Sequence, residues 1–513
     1  MIRRLLVIII GLSVSGLGYT QHWLGLSSSN YAGTNALFLN PAHAADSRHK
    51  LYLNLIGNDL FLVNNYLRFD APYSFLGLVT NSVPKKYRSE RGLIIWKESY
   101  YAERLNGKPK HFHAGGDVRG PSALFSFKNN RFAVALTTRG RYSLSLTDAS
   151  EETARVIRYG TNLVELQKKQ FTDQTAKLST NGFVELGATF GGVLLDDETD
   201  FFKFGVTVKR MVGVYNVHAD MKKANYIINV ESLNPEREFI SASKLAATYG
   251  YTTEEAFSNL SLNPQFLFGN RSAGGGWGFD VGMVYEYRPD AQQLKIGGPR
   301  GGRHHDPNKN KYKYRISAAL TDVGAIKYNN LNYVRDIDID LPSAQFSYIY
   351  FNSLPSTGAA VNAVNESINV YPAADPRGWT VGLPTSFNTS FDYHYKDNWY
   401  VNTLWVQGLR GKNYLDIRPQ SVLAITPRYE TKWFEVSTPV AIIDNYRVFT
   451  MGLAARIGPV IIGTDHLGGL LDIGKPQGLD FYFGLYAPFF HRKPEGPNKC
   501  WYQPYERSSR RKR

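Results

Sequence analysis

The chain has 513 residues, 59 Lys+Arg against 44 Asp+Glu for a net charge of +15, 14% aromatic residues and a single cysteine, Cys500. One thiol excludes an internal disulfide framework and a Cys-ligated zinc or iron–sulfur centre, and 43% hydrophobic residues argue against disorder. Beyond the N-terminus no run of about 18 apolar residues occurs, which excludes a bundle of membrane helices.

Met1-Ile2-Arg3-Arg4 is a positive lead, Leu5 to Leu12 a short apolar core, and Gly16-x-Gly18 a small-x-small pair. Residues 1–18 therefore match the plan of a secretory signal peptide. Export removes nucleic acid as the expected partner of the positive charge. Residues 19–48 are rich in small residues and lack alternation. This stretch is either a lead-in or a plug packed inside a cylinder, with Asn40-Pro41-Ala42 as the turn that enters the first strand.

Period-two alternation, the mark of a strand with two different faces, then dominates. Phe202, Phe204, Val206 and Val208 oppose Lys203, Thr207 and Lys209; Tyr312, Tyr314, Ile316, Ala318 and Leu320 oppose Lys313, Arg315 and Ser317. Phe387, Phe391, Tyr393 and Tyr395 oppose Ser386, Ser390, Asp392 and His394, while Phe481, Phe483, Leu485, Ala487 and Phe489 line one face near the end. The pattern predicts fourteen strands, at about 49–69, 120–128, 131–145, 181–195, 201–216, 275–289, 312–328, 378–395, 398–409, 417–430, 432–442, 446–457, 459–466 and 478–489. Every long connection falls at one end of these strands and all but one of the short turns at the other. The exception at the short-turn end is the long, basic segment 290–311. That sorting is the habit of outer-membrane barrels, and only helices or closed barrels satisfy the backbone in hydrocarbon.

The expected fold is thus all-β: a transmembrane antiparallel β-barrel over 49–490 with an N-terminal lumenal plug, followed by a basic tail over 491–513. On this parity Lys313, Arg315, Asp392 and His394 face the lumen, and Trp399, Tyr400, Trp433, Tyr312 and Tyr482 form aromatic girdles. The tail carries +6 and segment 290–311 carries +3 of the net charge. Arg300 and Arg303 in that segment, with Trp501, Tyr502, Arg510 and Arg511 in the tail, are candidates for docking an anionic surface or an acidic protein. His111-Phe112-His113 and His304-His305 fall in expected loops without acids at ligand spacing and read as solvated histidines. Asp392, His394, Ser386 and Ser390 share a face, the nearest approach to a hydrolase constellation, but no nucleophile elbow accompanies them. No enzyme activity, cofactor or metal is expected.

Asn35-Ala-Leu-Phe-Leu-Asn-Pro-Ala42 resembles the N-terminal hatch of long-chain fatty-acid transporter-like (FadL-like) barrels, a class of fourteen strands. Phe204-Gly-Val-Thr-Val-Lys-Arg210, Gly278 to Tyr285, Ala319 to Tyr328, Thr426 to Thr431 and Phe481 to Phe489 resemble the DUF5723 group of outer-membrane proteins. The resemblance implies a lumenal hatch and one of two roles. The first is binding or passage of hydrophobic small molecules across a bacterial outer membrane. The second is a non-catalytic accessory subunit of an outer-membrane assembly or secretion complex, docking through the basic segments and long loops. Outer-membrane lipids are the expected surroundings, with the C-terminus in the periplasm and the long loops outside. A hydrophobic ligand and outer-membrane or periplasmic proteins are the possible partners.

Overall fold

The computed structural model describes residues 23–197, 199–230, 239–258, 264–268, 271–297, 303–347, 357–368, 377–410, 413–474 and 476–491. Segments 1–18 and 492–513, and with them Trp501, Tyr502, Arg510 and Arg511, lie outside these residues, as does Arg300.

Fourteen antiparallel strands form one closed sheet. They are β1 (His49–Asn64), β2 (Lys110–Arg119 and Ser122–Phe127), β3 (Phe132–Ala149), β4 (Gln170–Asp196), β5 (Asp200–Asn229), β6 (Gly274–Tyr287) and β7 (Tyr314–Tyr328). The second half holds β8 (Trp379–Gly382 and Ser386–Lys396), β9 (Trp399–Gly408), β10 (Val422–Glu430), β11 (Phe434–Ser437 and Val440–Ile443), β12 (Val448–Met451 and Leu453–Ile457), β13 (Val460–Thr464) and β14 (Gly478–Phe490). Each strand pairs with its neighbours in sequence, and β14 closes on β1 with Leu51 opposite Phe489 and Val63 opposite Gly478. Closure leaves no strand edge, so every ladder group has a partner across the hydrocarbon.

The short turns follow from residues that tolerate a left-handed backbone. Asn129 and Asn130 (φ 56 and 69) turn β2 into β3, Asp397 (φ 53) turns β8 into β9, and Gly458 (φ 56) turns β12 into β13. Alternation decides the two faces. On β5 Val206 and Val208 point outward, each 38% exposed, while Lys203, Thr207 and Lys209 are buried inside. Phe481, Phe483 and Leu485 on β14 repeat the pattern outward, with Asp480, Tyr482 and Tyr486 inside. No helix among the described residues is long and apolar enough to cross a membrane.

Several expectations need correction. Strand β2 begins at Lys110 instead of near 120, because its first half pairs with both β1 and β3. His111 and His113 are therefore strand residues, bonded to Asp444 (3.0 Å) and Ser145 (3.1 Å), and not solvated loop histidines. Segment 217–274, taken as a loop, contributes the far half of β5 and the strand Phe239–Thr252. That strand pairs with β5 on one side and with Val334–Leu341 and Ala344–Ser347 on the other, building a sheet beyond the barrel rim. Trp399 and Trp433 are more than half exposed and face outward as a girdle should, but Tyr312, Tyr400 and Tyr482 are buried inside. Their hydroxyls and rings find polar partners in the lumen, which an alternation pattern alone does not reveal for so amphipathic a side chain.

Candidate functional site: the lumen and the segment inside it

Residues 23–48 run inside the barrel. A turn opens at Trp23, whose carbonyl accepts the Leu26 and Ser27 N–H groups at 2.8 and 2.9 Å. Two 3-10 turns follow, Gly33–Phe38 and Pro41–Ala44. Asn40 sets the second. Its Oδ1 caps the Ala42 N–H at 2.9 Å, and its Nδ2 donates to the wall carbonyls of Met283 (3.1 Å) and Ala318 (3.2 Å). Pro41 occupies the first helical position, where the missing N–H is not needed. Ala42 is fully buried. The wall answers with glycines: a Cβ on Gly205 would overlap the Pro41 backbone, one on Gly282 would overlap Asn40 Oδ1, and one on Gly191 would lie 2.9 Å from Ala44 Cβ. Glycine in a strand interior marks close approach of another backbone.

This segment has few backbone partners of its own, so polar side chains of the wall supply them. Ser437 Oγ donates to Gly25 O (2.6 Å), Arg315 Nη2 to Ser28 O (2.9 Å), Asn388 Nδ2 to Leu39 O (2.9 Å) and Lys203 Nζ to Ala45 O (2.8 Å). At the entrance Leu24 N donates to Asp465 (2.9 Å), and the Trp23 ring lies between Tyr482, stacked at 5.1 Å, and the Arg119 guanidinium at 3.8 Å. At the exit Asp46 receives Arg288 and Lys311, both at 2.6 Å. Burial opposes the Asp46 charge, but Lys311, Arg288 and Lys203 together hold its carboxyl well below the usual carboxylate range.

Around the segment the wall carries linked ion pairs. Arg428 grips Asp392 with two bonds of 2.7 and 2.8 Å, and Arg315 (2.9 Å) and the Tyr312 hydroxyl (2.7 Å) complete that carboxylate. Lys209 joins Asp280 (2.7 Å) and Asp322 (2.6 Å), and Arg141 joins Asp322 (2.9 Å) and Glu185 (3.1 Å). Toward the long-loop end the lumen turns apolar. Phe61, Phe183, Met211, Ile326, Tyr328, Trp379, Val381 and Leu383 form one inward cluster, closed from outside by Ala256, Ala273, Val334 and Ile417 of the connections.

Of the four residues expected to face the lumen, Arg315 and Asp392 do so and touch each other. Lys313 does not: it precedes the start of β7, its ammonium meets Tyr395 O at 3.2 Å and sits 4.7 Å over the Tyr393 ring, while its neighbour Tyr312 takes the inward place. His394 sits on the inward side at the turn end of β8: it pairs with Tyr400, its ring stacks on that buried ring at 4.7 Å, and it bonds Asp397 O at 2.8 Å in the turn. The hydrolase constellation is thus not assembled: Asp392 is taken by arginines, Ser390 pairs with Ser317 (2.7 Å) and Ser386 with Asn388 (3.1 Å). Arg303 lies in a small hairpin, Lys295–Gly297 against Arg303–His305, inside the basic turn. Among the described residues no group of three His, Cys, Asp or Glu is placed to hold a metal. The wall glycines, Arg428, and Glu435, which accepts Ser29 Oγ at 2.7 Å and pairs with Arg456 at 3.0 Å, are not singled out by sequence; isolated glycines inside alternating strands are the available signal.

Solved structures with a similar chain path include the toluene transporter TodX of Pseudomonas putida, at 9% identity over 92% of this chain and 96% of that one, with a TM-score of 0.34. The toluene transporter TbuX of Ralstonia pickettii matches at 9% identity over 92% and 99% of the two chains, with a TM-score of 0.36. A FadL homologue of Pseudomonas aeruginosa matches at 7% identity over 92% and 100%, with a TM-score of 0.24. No curated protein matches the chain. Residues 41–465, from the proline of the lumenal Asn-Pro-Ala turn to the aspartate that receives Leu24, match the model of a family of unknown function, DUF5723, and the chain belongs to that family.

Proposed function

We propose that the protein is an outer-membrane barrel that binds or passes hydrophobic small molecules, with residues 23–48 as its plug, the short-turn end in the periplasm and the long loops outside the cell. The observation that carries this reading is the inward apolar cluster at the long-loop end, from Phe61 to Leu383. Barrel interiors are ordinarily polar, and an apolar deck beneath loops offers a hydrophobic ligand what a water-filled pore does not. Below that deck the plug occupies the lumen, so passage requires it to shift. Its polar ties to the wall are hydrogen bonds and ion pairs that water can replace, whereas Trp23, Leu24, Leu26, Leu37 and Leu39 pack into apolar clusters of the wall and must leave them for the segment to move.

The test locks the plug. In a Cys500→Ser background, Ala44→Cys with Gly191→Cys places two thiols on Cβ atoms about 2.9 Å apart, within a small shift of disulfide geometry. Reconstituted into vesicles, the protein with free thiols should take up a fluorescent hydrophobic probe, and the oxidised form should not until reduced. Equal uptake in both forms, or none above empty vesicles, overturns the reading.

A second reading, an accessory subunit of an outer-membrane complex, is favoured by the sheet beyond the rim. It has its own core of Leu166, Tyr226, Ile228, Leu245, Ile337, Ile339 and Ile368, more structure than a simple loop requires. Cross-linking in native membranes separates the readings: a constant partner on this sheet supports the second.

A further inference from the structure

We propose that the cavity between the plug and the wall at the short-turn end binds a compact monovalent anion of chloride or formate size, held by Lys203, Arg315 and His43. The cavity has about 30 Å³ of free volume, room for roughly two water-sized bodies. Four cations line it, Arg48, Lys203, Lys311 and Arg315, against two carboxylates, Asp46 and Glu286. Asp46 is held by Lys311, itself one of the lining cations, and by Arg288 at 2.6 Å each, and Glu286 is held by Arg288 at 2.5 Å, so the carboxylates leave Lys203, Arg48 and Arg315 as the cations that face the space. The cations are not all saturated. Lys203 Nζ has one hydrogen bond, to Ala45 O at 2.8 Å, and Glu286 stands 3.8 Å away. Arg315 is 5% exposed; its terminal nitrogens bond Asp392, Ser28 O and Asn30, and its Nε has no partner. The His43 ring also lines the cavity, and its only bond among the described residues is the backbone N–H to Asn40 O at 3.1 Å.

Unmet donors in a small cavity with an excess of positive charge favour an anion and repel a metal ion. His43 reports the same field: burial, then Arg315, Lys203 and Arg428, push its pKa well below the ordinary histidine value, so the ring is neutral and offers one N–H. An anion there would bridge plug backbone and barrel wall, adding a tie that depends on the solution. Water fills such a space too, but water does not offset the charge.

The test uses the full chain in detergent. Melting temperature is followed while sodium bromide replaces sodium gluconate at constant ionic strength, and crystals grown in bromide are examined by anomalous scattering. The expected result is a saturable rise in melting temperature and a bromide peak in contact with Lys203 and His43. Loss of a charge-assisted bond should weaken the apparent affinity about tenfold or more in Lys203→Gln. Should that variant fail to fold, His43→Leu serves, because it removes the N–H donor and the ring makes no bond that folding needs. No saturable rise, a peak only at surface sites, or a response unchanged in His43→Leu overturns the proposal.

Discussion

Asp392 and Asp59 are both fully buried in the lumen, and they illustrate opposite outcomes for a carboxylate there. Asp392 has two arginines and a tyrosine hydroxyl on it. Neither oxygen of Asp59 has a hydrogen-bond partner. Removing one member of a buried pair leaves the other charge uncompensated, at a cost of about 3–5 kcal/mol. Arg428→Met should therefore lower unfolding stability in urea by that amount, whereas Asp59→Asn should be neutral or stabilising by up to about 2 kcal/mol, since the amide stays polar but carries no charge to be left unpaired. A loss from Asp59→Asn as large as that from Arg428→Met would show that Asp59 has a partner not accounted for. Asp46 adds a pH dependence. Its folded pKa is depressed by Lys311 and Arg288, so its contribution is complete above the ordinary carboxylate value of about 4 and is lost as pH falls below it toward the folded value. Asp46→Asn should accordingly lower the opening free energy that hydrogen exchange reads at the end of segment 23–48 when wild type and variant are compared at one neutral pH; an unchanged value would contradict the ion-pair latch.

At the scale of the element, segment 23–48, the proposed plug, and the strands that hold it are matched by size. Gly205 on β5 and Gly282 on β6 leave room for Asn40, Pro41 and Ala42 and for nothing larger. Gly205→Val should thus expel this part of the plug while leaving the ladder intact, since valine suits a strand. Limited proteolysis should cut between residues 23 and 48 in the variant and not in the wild type, with the barrel still resistant to unfolding in cold detergent. Barrel loss together with plug loss would mean that the plug is part of the folding core. Sequence made the strands legible and left the plug contacts hidden, for a physical reason. Period-two alternation is a local property, so it separates the two faces along the middle of a strand, with Val206 and Phe483 outward and Thr207 and Tyr482 inward. It fails where a strand begins, which is where Lys313 lies. It is also ignored when a segment is assumed to be a loop: Asp336-Ile-Asp-Ile-Asp340 alternates plainly, yet lay within a supposed connection. Contacts such as Asn388 to Leu39 join residues hundreds of positions apart, and no local pattern encodes them.

The whole molecule is an inversion of a soluble protein, with ion pairs inside and Val, Phe, Met and Leu outside, and one strand shows both sides. On β6 Val281 is 50% exposed toward the surroundings, whereas the adjacent Asp280 is 2% exposed and paired with Lys209 at 2.7 Å. A one-residue slip of this strand would exchange them, setting a carboxylate in lipid and a valine among charges, so both faces fix the register. The depth of each outward residue then sets its tolerance to charge. Val281 lies near the middle of β6, and Trp399, 52% exposed, opens β9 at the short-turn rim. An arginine at mid-membrane costs a barrel about 2–4 kcal/mol and one at the interface about 0–1. Val281→Arg and Trp399→Arg should therefore differ by about 2 kcal/mol when unfolding is measured from bilayers of ordinary thickness. The gap should shrink in thinner bilayers, where Val281 comes closer to water and the long arginine stem reaches it more easily. Equal costs at the two positions, or a gap indifferent to bilayer thickness, would place the hydrocarbon band elsewhere on the barrel than across the middle of β6.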